Sequence, residues 1–140
     1  MLTGPALTGR CQCGAVAFAC SGHPLGLFVC HCLECRKQST SAFGMSVPVR
    51  RADFSLTRGT PHLWTRPTDS GNTLECAFCE ACGSRLWHVR SSAPDIIGIR
   101  AGALDIALDT STAIHIWTSR KLPGIVIPAE ATQYPEEPPR

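Results

Sequence analysis

Cys30-His31-Cys32-Leu33-Glu34-Cys35 places three thiols within six residues, and thiols gathered this closely are soft ligands for a metal ion. If residues 28–32 run extended, side chains two apart share a face. Cys30 and Cys32 then point together, and a turn at Leu33-Glu34 brings Cys35 round to them. Three protein ligands rather than four is the count of a zinc ion that keeps one position open for chemistry. Cys11-Gln12-Cys13-Gly14 and Cys79-Glu80-Ala81-Cys82-Gly83 differ in kind. Each sets two sulfurs on a tight turn, with Gly14 and Gly83 supplying the backbone freedom such turns require. Together they make a closed four-cysteine set, the ligand count of a structural zinc, which would tie residue 13 to residue 79.

The remaining candidates divide by strand alternation. In a strand through Phe78, Cys76 and Phe78 share one face while Ala77 and Cys79 share the other. Cys76 therefore looks away from the four-cysteine set. It is either the fourth ligand of the three-cysteine cluster or a buried thiol without a metal. Cys20 lies on the face of Val16 and Phe18 and reads as core, since free cysteine packs as a small hydrophobe. His31 projects to the side opposite its flanking cysteines, which makes it a supporting or surface group rather than a ligand. His23, His62, His88 and His115 lack ligand spacing, and Trp64, Trp87 and Trp117 read as core. Arg36 and Arg85 each adjoin a thiol cluster, where they would either hold an anionic substrate or remain solvated.

The elements that must position these groups are mostly β. Residues 7–10 and 15–20 predict a hairpin with thiols at its tip. Residues 25–29 read as a strand, and residues 33–40 as one short helix whose N-terminus favours thiolate over thiol. Extended segments follow at 42–49, 54–57, 62–65, 73–78, 85–89, 96–100 and 114–117, with Asp69-Ser70-Gly71-Asn72 as a strong turn signal. From Pro123 onward, five prolines and Glu136-Glu137-Pro138-Pro139 predict an ordered loop fading into a flexible tail.

Composition bounds the function. A chain of 140 residues fits a single domain, residues 1–140, with its core at about 8–135. The net charge of +2 comes from scattered arginines, which gives no case for nucleic acid. No segment approaches the ~20 apolar residues of a membrane span, and the first residues carry no basic-then-apolar pattern. A cytoplasmic protein is expected. Nine cysteines cannot all pair within the chain, and clustered thiols point to metal rather than disulfides.

Three motifs in order carry a resemblance: Gly9-Arg10-Cys11-Gln12-Cys13-Gly14, then Cys30-His31-Cys32-Leu33-Glu34-Cys35-Arg36, then Phe78-Cys79-Glu80-Ala81-Cys82-Gly83-Ser84-Arg85. Over roughly residues 8–135 the chain resembles the glutathione-dependent formaldehyde-activating enzyme family, which also takes in centromere protein V. The resemblance implies a mainly β, Mss4-like fold of small sheets around a structural zinc. It places that zinc on Cys11, Cys13, Cys79 and Cys82, and a catalytic zinc on Cys30, Cys32 and Cys35. It implies a carbon-sulfur lyase that joins glutathione, or a related thiol, to formaldehyde or another small aldehyde. The rival expectation is a non-catalytic binding module stapled by zinc. A thiol redox or metal-storage protein is the weaker third, because the thiols have ligand spacing for two discrete sites.

Overall fold

The structure, a computed structural model, describes residues 7–139. The strands β1 (Leu7–Arg10) and β2 (Ala17–Cys20) form the expected hairpin, and β3 (Phe28–Cys30) leads into the helix α1 (Leu33–Ser39). The strands β4 (Gly44–Arg50), β5 (Phe54–Arg58), β6 (His62–Pro67), β7 (Thr73–Phe78), β8 (Arg85–Arg90), β9 (Ile96–Arg100) and β10 (Ile114–Ile116) follow. They assemble into a three-stranded sheet, β1-β2-β5, and a seven-stranded sheet, β10-β3-β4-β9-β8-β7-β6. The second sheet is larger than the small sheets expected. Its β3-β10 pair is parallel, a long-range pairing that no local turn signal announces.

Alternation explains the core. Val16, Phe18 and Cys20 turn one face of the hairpin inward, and Val47, Val49, Ile97 and Ile99 turn the matching face of the large sheet toward them. Phe18, Phe54 and Trp87 pack ring on ring across this interface, with the Phe54 and Trp87 centroids 4.8 Å apart. Trp117, half-buried just past the end of β10, and Trp64 both fall outside the core expected for tryptophan, and Trp64 departs the further. It is 49% exposed, because it sits on β6, a strand with a neighbour on one side only.

Two segments differ from the sequence-based expectation for local reasons. The predicted strand at 25–29 begins only at Phe28, after Pro24 and Gly26 have delayed regular pairing. The ladder then stops at Cys30, and Cys32 becomes the N-cap of α1 rather than a strand residue. Near the C-terminus the chain remains tied down through Glu137. The His115 N–H of β10 donates to the Thr132 carbonyl and the Tyr134 N–H to the His115 carbonyl, each at 2.9 Å, and the Trp117 indole N–H donates to Glu137 at 2.8 Å. The fading expected in the proline-rich tail is therefore not seen up to that residue.

Candidate metal centres

Each half of the four-cysteine cluster is a turn shaped by its own backbone. After β1, the Gly14 N–H donates to the Cys11 carbonyl at 3.1 Å and the Val16 N–H to the Cys11 sulfur at 3.3 Å. After β7, the Gly83 N–H donates to the Cys79 carbonyl at 2.7 Å. Gly14 and Gly83 both take positive φ, at 82° and 81°, the conformation that excludes most other residues. Ser84 fastens the two turns together. Its hydroxyl accepts from the Gln12 N–H at 2.9 Å and contacts the Cys82 sulfur at 3.2 Å. The four sulfurs lie within 4.8 Å of one another, as ligands of one metal ion require. The Ser84 hydroxyl, with the backbone of Cys13 and Ser84, holds the Cys82 thiol down to about 5.

The sulfurs of Cys30, Cys32 and Cys35 also lie within 4.8 Å of one another. They come from three kinds of position: a strand end, a helix N-cap and the first turn of α1. The Cys35 N–H donates to the Cys32 sulfur at 3.3 Å. Hydrogen bonds from the Cys30 and Cys35 thiols, followed by backbone N–H groups, hold the Cys32 thiol below its ordinary range. One sulfur of the three is thus readily ionised, and a bound cation would displace the remaining protons. Both donor sets consist of thiols alone, and both are positioned to hold a metal ion.

Cys76 is not one of the three gathered sulfurs. It is buried in β7, with its thiol 3.8 Å from the Leu74 carbonyl. It does line the same cavity, of about 180 Å³, as Cys35. Arg85 lines this cavity and also a larger one of about 890 Å³ beside the four-cysteine turn, with its guanidinium carbon 5.4 Å over the Trp64 ring. Arg36 lines neither cavity. Cys20 is buried in the core, as alternation required.

Of the two expectations for His31, a supporting group or a surface group, the structure excludes the surface one. The residue is fully buried, and its Nε2 lies 2.9 Å from Nδ1 of His115 on β10. Burial, then the charges of His115 and Lys121, keeps His31 below the ordinary histidine range, and burial alone does the same to His115. The pair ties the three-cysteine segment to the parallel β10 edge.

Two residues at the site, Arg100 and His88, belong to no motif in the sequence. Arg100, at the end of β9, is buried, and its Nη1 lies 3.4 Å from Nδ1 of His88 on β8. Burial and four surrounding arginines, Arg100 foremost, hold His88 down to about 3, so it is a neutral imidazole. A signal was present in Gly98: a glycine inside a strand marks close approach by another group. Here that group is the His88 ring, whose Nε2 would lie 2.6 Å from a Cβ at position 98.

Comparison with known proteins bears on the same segments. The pattern of the family described as "Glutathione-dependent formaldehyde-activating enzyme" matches residues 6–120. A Halomonas elongata protein named "Putative glutathione-dependent formaldehyde-activating enzyme" is 32% identical over 104 residues, covering 71% of this chain. The chain spans 66% of the length of that relative. The crystal structure of a Rhodobacter sphaeroides protein, 20% identical, superposes with a TM-score of 0.60 over 91% of this chain and 98% of its own. It is a likeness of fold.

Proposed function

The chain belongs to the glutathione-dependent formaldehyde-activating enzyme family, and on that premise we propose that it is a zinc-dependent carbon-sulfur lyase acting on glutathione, or a related thiol, and formaldehyde or another small aldehyde. The observation that carries the proposal is the three-sulfur cluster of Cys30, Cys32 and Cys35 beside a cavity lined by Lys37, Arg66, Arg85 and Arg100. Cys11, Cys13, Cys79 and Cys82 would hold a structural zinc, and Cys30, Cys32 and Cys35 a catalytic one. We take the fold to be of the Mss4-like kind, a single domain, and its setting to be the cytoplasm, where thiols stay reduced.

In the synthetic direction a carbon-sulfur bond forms between the thiol sulfur and the aldehyde carbon. The carbonyl π bond opens, and the proton lost by the thiol ends on the new hydroxyl oxygen. A zinc ion on the three cysteines would supply a lowered thiol pKa or a polarised carbonyl. The cavity wall, where four basic side chains outnumber the one carboxylate of Glu34, attracts the carboxylates of a thiol such as glutathione. His88, neutral between its arginines, adds no charge of its own.

The test is exchange spectroscopy on the equilibrium of glutathione, formaldehyde and their adduct. The protein is expected to accelerate exchange above the uncatalysed rate, and Cys32→Ala to abolish the acceleration. If both proteins leave the exchange rate alike, the proposal fails. The non-catalytic binding module then leads.

A further inference from the structure

Arg100 carries a charge into the interior and meets no carboxylate there. The residue is 8% exposed, and among the described residues no acidic side chain pairs with it. Its side-chain partner is the neutral His88. Arginine keeps its proton under ordinary conditions, and an unpaired buried charge is strongly destabilising. A counter-charge must therefore lie close by.

The packing around Gly44 shows where. A Cβ at that position would collide with Nη2 of Arg100 and stand 3.2 Å from Cβ of Cys35. The missing side chain is what lets the guanidinium lie beside Cys35.

We propose that Arg100 is a positioning residue that offsets the charge of the three-cysteine centre and so lets it accept an anionic fourth ligand. The inference rests on the assignment of a divalent metal to Cys30, Cys32 and Cys35. Three thiolates around a divalent cation leave one net negative charge, which the guanidinium cancels. An incoming thiolate then meets a neutral centre rather than an anionic one. A neutral ligand gains nothing from the same guanidinium, so Arg100 selects by the charge of the fourth ligand.

Cobalt(II) in place of zinc makes the centre visible by absorption, and the spectrum of Cys32→Ala protein subtracts the four-cysteine contribution. Thiocyanate serves as the anionic probe and imidazole as the neutral one. Arg100→Gln is expected to weaken thiocyanate binding about ten-fold or more and imidazole binding less than about two-fold, with Arg100→Lys restoring most of the thiocyanate affinity. If Arg100→Gln does not fold, Gly44→Ala, which pushes the guanidinium aside, is expected to weaken thiocyanate selectively in the same way. Equal losses for both probes would show a packing role and overturn the inference, as would unchanged thiocyanate affinity. If wild-type protein takes up no more cobalt than Cys32→Ala, the metal assignment under the proposed function falls together with it.

Discussion

The sulfurs of Cys13 and Cys79 lie 3.7 Å apart across 66 positions of chain. Nothing local brings them together. One sits on the hairpin turn after β1 and the other at the end of β7, and the Ser84 hydroxyl spans the two turns. A metal ion there closes a loop whose constraint on the unfolded chain is worth about 4 kcal/mol by chain entropy. Cys30, Cys32 and Cys35 close only a local turn.

Cys79→Ala is accordingly expected to give unfolded or insoluble protein, and Cys32→Ala to stay folded with about half the zinc. Zinc analysis and thermal unfolding of the two variants measure this. Equal destabilisation by both would contradict the division into structural and catalytic sites.

Cys76→Ser is expected to leave zinc content and chelator exchange unchanged at both clusters, because the Cys76 sulfur is outside the gathered three. The cost is that of setting a hydroxyl in a buried thiol site, about 1 kcal/mol. Faster loss of one zinc in the variant would instead make Cys76 a fourth ligand in the resting protein.

His88 gives the stability a pH dependence whose sign follows from its environment. Folded, it is held down to about 3, whereas in the unfolded chain it titrates near its ordinary 6.5. Below that value the unfolded chain binds a proton that the folded one refuses, so the fold loses stability as pH falls toward 3, by up to about 1.4 kcal/mol per pH unit. Below about 3 the loss levels off. His88→Gln is expected to flatten this part of the profile in denaturant titrations between pH 6.5 and 4. Parallel profiles for wild type and variant would show that His88 is already charged in the fold.

Much of the site was legible because metal ligation is written in short-range spacing. The tight turns at Cys11-Gln12-Cys13-Gly14 and Cys79 to Gly83, the six-residue cluster and the helix after it all depend on neighbours a few residues apart. Their local conformations follow from side-chain alternation and from glycine at positive φ, whereas the N-cap role of Cys32 was not among the expectations. The inward face of Val16, Phe18 and Cys20 follows from the same alternation.

The sequence by itself therefore determined the mainly β character, the hairpin with thiols at its tip, the short helix and the grouping of seven cysteines into two clusters. Only the tertiary structure decided that His31 is buried against His115, that Trp64 lies on an exposed edge, and that Arg100 and His88 stand beside the three-cysteine cluster. The physical reason is that these depend on the order and register of strands in the seven-stranded sheet. The parallel β3-β10 pairing joins segments more than 80 residues apart and brings His115 to His31. The β8-β9 register sets His88 over Gly98, two residues from Arg100. Alternation tells which residues share a face of one strand, and it is silent on which strand will lie alongside.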